Sequence, residues 1–500
     1  MVFLSCVFLS ILTFFLRVRP RIFQRRFGID SWYYLLYAQE FRKQKRLPVI
    51  LPYYLLDIPE QRYPPGLPIA LSMFPQKFLE NYHWAVAAFI DTVQMAVVYF
   101  TAYALTGNLP TASLAALFYA TSPILVTQNS NLNSRSSGAL VLSLSMLFLY
   151  GFVLSSNYIY LILAILFGVV LLHTHKLATQ QMSFILLGLA AFYLNVTYLF
   201  ILAGIYFSAF VLSGGYYLKI LKGHIEILRF WRQNLPYLGA HQIYESPLYF
   251  NAEKARIMKG CGGIAINKFW INMAKLQFVL IFCVIVVYAF VCRGKADSSE
   301  AFFLAWFFIS FFCIMVITYF KPIKFMGEGQ RYFTYAIFPA SFLLAKFYSF
   351  HKFETVLIVT VILAINILLI VKIHSEQKKN ILAALSDDLF EMIKFVRGLP
   401  KDGIMCLPFS YCEHIAYFCR KKTLWGAHGG GYVKLQGFFP VLLKPIEYFI
   451  QSYDISYCLI NENFVSLEDL KLTVKYKIIE EKNQYLLLEF VNEGAVSIRA

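Results

Sequence analysis

Apolar runs of about 15 to 20 residues recur along the first 372 positions of this chain and then stop. Runs of that length match the hydrocarbon thickness of a bilayer. The pattern predicts about eleven membrane spans: Val2–Leu16, then 83–106, 109–126, 138–155, 158–172, 182–197, 198–215, 276–292, 301–320, 333–347 and 354–372. The stretch 182–215 has to be divided, because its 34 residues would make roughly 50 Å of helix against a core about 30 Å thick. Two spans breaking near Asn195 are expected. That division sets the parity of everything after it. The segments 17–81, 127–137, 173–181, 216–275 and 321–332 then share one membrane face with the C-terminal segment. The opposite face receives short connections near Asn108, Asn157 and Asn195, from Arg293 to Glu300 and from Tyr348 to Phe353.

The polar stretch from Arg17 to Asn81 carries structure of its own. Ser31–Arg46 has helical periodicity that puts Trp32, Leu35, Leu36 and Phe41 on one side, and it is expected to lie on the bilayer surface. Beyond Lys372 the composition changes to a helix at Asp387–Arg397, a strand at Ile404–Pro408, a helix at Tyr411–Cys419 and a closing strand pattern at Tyr485–Val491. The predicted fold class is therefore a polytopic α-helical membrane protein with a small C-terminal α/β soluble domain. The division is 1–372, including a structured first loop at 17–82, and 373–500.

Composition agrees with lipid as the solvent: 59% of residues are hydrophobic and 15% charged, with a mean hydropathy of +0.59, outside the range of soluble domains. Val2–Leu16 has no basic stretch before it and no small-residue cleavage site after it, so it reads as an uncleaved first span. The nine cysteines are scattered without a CxxC pair or a zinc-like Cys/His spacing. The redox state of Cys406, Cys412, Cys419 and Cys458 depends on the side the tail occupies. The net charge of +17 lies between hydrophobic spans rather than along a soluble face, which argues against nucleic acid and for phosphate in lipid headgroups or lipid-linked substrates. Residues 17–62 hold ten Arg/Lys against four Asp/Glu. By charge alone that loop would be cytoplasmic.

Five polar constellations interrupt this pattern. In Gly28-Ile29-Asp30-Ser31, Asp30 opens a helix, where the dipole favours the carboxylate as a base or metal ligand; the plainer reading is an N-cap. Asp57 to Gly66 is a Pro-Pro-Gly loop that presents Glu60 and Arg62, or a simple turn. Asn129–Arg135, His173-Thr174-His175-Lys176 and Gly327-Glu328-Gly329-Gln330-Arg331 could each be interfacial anchors. Their shared parity instead predicts that Arg135, His175, Lys176 and Arg331 meet the first loop as a basic pocket around one or two carboxylates. Asp91, inside a predicted span, is either a functional acid or a group near the headgroups. Gly426–Tyr432 is a glycine-rich turn without the residues of a phosphate loop.

Taken together, the acidic residue after the first span, the Pro-Pro-Gly turn at 64–66, the Arg loop after the third span and the His/Lys cluster after the fifth resemble the C-type (GT-C) superfamily of membrane glycosyltransferases. That superfamily includes protein mannosyltransferases, aminoarabinose transferases and oligosaccharyltransferase catalytic subunits. The resemblance covers most of the chain. It implies a polyprenyl-phosphate-linked sugar donor, a site facing outside the cytoplasm and an extracytoplasmic tail. It assigns the catalytic base to Asp30 and the donor phosphate to Arg135, Lys176 and Arg331, with Glu60, Arg62, His175 and Glu328 completing the substrate site. A divalent cation is the only cofactor it brings, and the acceptor is left open among lipid, glycan and protein. The first loop has no Trp-Trp-Asp-Tyr-Gly and no Asp-x-Asp sequence, unlike oligosaccharyltransferase subunits. A polytopic transporter or lipid flippase is the alternative, but its usual internal symmetry is not evident.

Overall fold

The structure is a computed structural model of the chain, and residues 1–258, 268–291, 298–349, 353–379, 385–426 and 432–491 are described. The first helix, α1 (Val2–Val18), shows why lipid surrounds this part. Cys6, Leu9, Thr13 and Arg17, spaced three or four apart, are buried, whereas Leu4, Phe8, Ile11 and Phe15 are exposed on the opposite stripe. A helix with one apolar stripe packed and a second one bare suits a bilayer and not water.

Next come α2 (Ile29–Gln44) and α3 (Gly66–Ser72), then the long helix α4 (Gln76–Thr106). The run 109–126 is two helices, α5 (Leu109–Ala120) and α6 (Pro123–Gln128). They part where Pro123 confines Ser122 to an extended backbone. The bundle continues through α7 (Arg135–Ser155), α8 (Tyr158–Leu172), α9 (Lys176–Phe192) and α10 (Thr197–Leu212). The α9–α10 break lies where it was expected, and Asn195 Oδ1 accepts the Thr197 N–H at 2.9 Å. At the end of α10 the chain turns by 118° into α11 (Tyr216–Gln233). There follow α12 (Ala252–Met258), α13 (Lys268–Val291), α14 (Ser298–Tyr319), the short α15 (Gly329–Tyr332), α16 (Ile337–Tyr348) and α17 (Phe353–Lys379). Five helices among the described residues are long and apolar enough to cross a membrane, or six if the bent α10–α11 pair is one span. The others are shorter, so helix length alone does not give eleven crossings. The compositional change at 372 falls inside α17 and does not end it.

Asp91 lies inside the helix bundle, paired with an arginine. It is fully buried, and one carboxylate oxygen accepts from Arg17 Nε at 2.7 Å. The other accepts from the Tyr119 hydroxyl at 2.7 Å and from Asn129 Nδ2 at 2.8 Å. Arg17 Nη1 and Nη2 donate to the carbonyls of Ala120 and Tyr119 at 2.6 and 3.3 Å, at the negative end of α5. One ion pair thus ties α1, α4, α5 and α6 together.

The tail forms α18 (Asp387–Gly398), β1 (Ile404–Leu407), α19 (Cys412–Phe418), α20 (Tyr432–Leu435), α21 (Ile446–Ser452), β2 (Tyr457–Asn461), β3 (Tyr476–Lys482) and β4 (Tyr485–Phe490). Its sheet has the order β1-β2-β4-β3, with β1 and β2 parallel and the remaining pairs antiparallel. Strands β1, β2 and β4 alternate between two cores. Ile404, Cys406, Tyr457, Leu459, Tyr485 and Leu487 face one; Met405, Leu407, Cys458, Ile460, Leu486 and Leu488 face the other. The four tail cysteines are free thiols. Most of the glycine-rich turn, 427–431, lies outside the described residues.

The first core overturns one expectation. Trp32, Leu35 and Leu36 are buried in a core shared with α18 and α19 of the tail, Trp32 lying against Tyr417 and Phe418, not laid on a bilayer, and Phe41 packs against the same core. The first loop also pairs with the tail, because Leu55 and Leu56 N–H donate to the carbonyls of Thr423 and Leu424 at 2.9 and 2.8 Å, and Thr423 N–H donates to Tyr53 at 2.7 Å. Loop and tail therefore pack together as one layer. Replacing Asp91 by Ala leaves the Arg17 guanidinium buried and unpaired, and should destabilise the protein by about 3–5 kcal/mol. Thermal unfolding in detergent measures this, and adding Arg17→Leu should return part of the loss.

Candidate active site

The geometry of the common face starts at Gly28. Its φ of 102° is reached without strain by glycine, and a Cβ there would lie 2.9 Å from Ser31 Oγ. Gly28 is the N-cap of α2, and no side chain caps the helix. Asp30 is therefore not the cap; it sits in the first turn, half-buried, where the dipole favours its charge. One turn on, Tyr34 faces Tyr63 of the Pro-Pro-Gly loop and Ser134, the N-cap of α7. The three hydroxyls are mutually hydrogen-bonded, at 2.8 Å between the tyrosines and 3.1 and 2.9 Å from Tyr34 and Tyr63 to Ser134. Burial pushes both phenols up from their ordinary range, and the nearby Asp30 charge adds to this, so they stay neutral.

Two close approaches bring the remaining loops in. Gly66 N–H donates to the His173 carbonyl at 2.7 Å, and a Cβ on Gly66 would lie 2.8 Å from that oxygen. A Cβ on Gly138 would lie 2.8 Å from His175 Cβ, so α7 can press against the start of α9. His175 caps α9, its Nδ1 facing Ala178 N–H at 3.4 Å and accepting the Tyr335 hydroxyl at 2.8 Å. Burial, with Arg135 and Lys176 nearby, keeps this imidazole well below its usual pKa and neutral. The half-buried Lys176 places its ammonium 5.1 Å from the centre of the Tyr63 ring.

The predicted residues therefore divide into two groups. Asp30, Arg135, His175, Lys176 and Arg331 lie within electrostatic reach of the same tyrosine and histidine cluster. Among the described residues Arg135 makes no ion pair, whereas Arg331 is held in a two-pronged pair with Glu328, at 3.1 and 2.7 Å. Glu60 and Arg62 turn instead to α11. Glu60 pairs with Lys219 at 2.9 Å and Arg62 with Glu226 at 2.7 Å, and Gly223 gives Arg62 room, since a Cβ there would lie 2.8 Å from Arg62 Cβ. The sequence reading gave no role to Tyr63 and Ser134, which lie inside two of the named motifs, or to Tyr34 and Tyr335, which lie just beyond others. Among the described residues no three His, Cys, Asp or Glu side chains converge to hold a metal ion.

No family model matches the chain, and no curated protein matches it in sequence. Solved structures do match in fold, and they are GT-C membrane glycosyltransferases. The oligosaccharyltransferase of Archaeoglobus fulgidus, crystallised with Zn and sulfate, aligns over 91% of this chain and 68% of its own, with a TM-score of 0.59 and 13% identity. The same organism's AglB, in complex with an inhibitory peptide and a dolichol-phosphate, aligns over 98% and 74%, with a TM-score of 0.56 and 12% identity. ArnT from Cupriavidus metallidurans, bound to undecaprenyl phosphate, aligns over 97% of both chains, with a TM-score of 0.56 and 10% identity. The chain shares their fold, and it is an integral membrane protein of that architecture. Gly66→Ala should force the first loop off His173 and lower stability by about 1–3 kcal/mol, read as a drop in the detergent unfolding temperature.

Proposed function

We propose that this protein is a membrane glycosyltransferase that moves a sugar from a polyprenyl-phosphate-linked donor to an acceptor hydroxyl or amine. The reading is supported chiefly by Tyr63, around which Asp30, Arg135 and Lys176 are gathered, with Arg331 beside the neighbouring His175. It is supported by a fold whose neighbours include structures with dolichol-phosphate and undecaprenyl phosphate. Asp30 accepts the acceptor's proton as the acceptor atom bonds to the anomeric carbon. The bond from that carbon to the phosphate oxygen breaks, and the lipid phosphate leaves with the electron pair. Arg135, Lys176 and Arg331 offset its charge. A lipid phosphate is already a capable leaving group, so alignment and charge neutralisation suffice.

Glu328 orients Arg331 through their paired contacts. Glu60 and Arg62, expected to touch substrate, act through α11 as the frame of the loop. The neutral His175 holds Tyr335 and fixes the start of α9. Anionic donors account for the basic residues of the first loop, and the layer of loop and tail faces outside the cytoplasm against the usual charge bias.

Asp30→Asn should abolish sugar transfer in a membrane assay while leaving insertion and undecaprenyl-phosphate binding intact; unchanged turnover would remove Asp30 as the base. Arg135→Ala should raise the donor KM at least about tenfold, which is about 1.4 kcal/mol. Accessibility tags in the first loop and in the tail should both label from outside the cytoplasmic membrane in intact cells, and labelling only after permeabilisation would reverse the assigned side.

A further inference from the structure

The ring and the hydroxyl of Tyr63 face different partners. The hydroxyl belongs to the hydrogen-bonded set with Tyr34, one turn along α2 from Asp30, and with Ser134, which precedes Arg135. The ring lies 5.1 Å from the Lys176 ammonium, within the range of attraction between a cation and an aromatic face. Tyr63 itself is held, because three residues on Gly66 donates to His173 and draws the loop against the segment that carries Lys176.

We propose that Tyr63 is a positioning residue with two separable actions: its ring holds the Lys176 ammonium toward the donor phosphate, and its hydroxyl holds the start of α2, and with it Asp30, in register with α7. The inference rests on the donor and base roles given above and adds to them a coupling between the two ends of the site. The cation is a single flexible chain: burial brings its pKa down to about 7 while Asp57 and Glu226 favour the charged form, and among the described residues neither makes an ion pair with it. Without the ring it has several rotamers open to it. The base end depends on the helix start because Gly28, lacking a side chain, does not cap α2.

Two substitutions divide the actions. Tyr63→Phe keeps the ring and removes the hydroxyl, so the donor KM should stay within about twofold of the parent protein while kcat falls roughly tenfold. Tyr63→Leu removes both, so the donor KM should also rise, by roughly tenfold. A readout that needs no turnover runs beside this: the rate at which an amine acylating reagent modifies Lys176 in the detergent-purified protein, followed by peptide mass spectrometry. The Phe variant should label at the parent rate and the Leu variant several-fold faster. Equal labelling of the two variants overturns the role of the ring, and equal kcat in the Phe variant and the parent overturns the role of the hydroxyl. Parent protein that fails to bind undecaprenyl phosphate overturns the donor reading itself, and the labelling comparison distinguishes that outcome because it decides the role of the ring without any ligand.

Discussion

The buried pair of Arg17 and Asp91 is the constraint on which the arrangement of the membrane part depends. A carboxylate and a guanidinium removed from water carry a large desolvation cost, which is offset only when geometry and further hydrogen bonds are complete. Here Asp91 receives three donors and the guanidinium is shared between the carboxylate and two carbonyls at the end of α5. Such a set permits one register of α1 against α4 and one position for the end of α5. The chain leaves α1 immediately after Arg17, so the pair also fixes where the loop that bears Asp30 begins.

From that start the face is assembled by close backbone approach more than by charge. Gly66 and Gly138 let the Pro-Pro-Gly loop and α7 reach the His173–Lys176 segment, and hydroxyls fill the space between. Where Glu60 and Arg62 pair with α11, charge serves the frame.

Much of this was legible in the sequence, for a physical reason. Period and run length located the helices, and the break near Asn195 lies where the length of 182–215 required it. The contacts of Gly66 with His173 and of Tyr34 and Tyr63 with Ser134 do join loops that the sequence pattern had grouped together. What could not be read is which partner covers an apolar stripe. Trp32, Leu35 and Leu36 have the same spacing whether they meet lipid or protein, so their burial against the tail was invisible. Asp91 was ambiguous for a related reason: nothing local indicates that an arginine 74 residues earlier in the chain would meet it. Pro123 carried a readable signal that the apolar run around it masked.

The joining of Tyr53–Leu56 to Thr423–Leu424 has a consequence for the order in which the molecule is made. The first loop leaves the ribosome early, but its pairing partner is synthesised some 370 residues later. Contacts of that separation form late and expose unpaired backbone in the interval. The bundle can thus be threaded into the bilayer while α2 still lacks the tail that covers Trp32. The side of α2 that carries Trp32 is covered only after the segment bearing His414, Tyr417 and Phe418 has been made, so a shorter nascent chain leaves that face of the loop open.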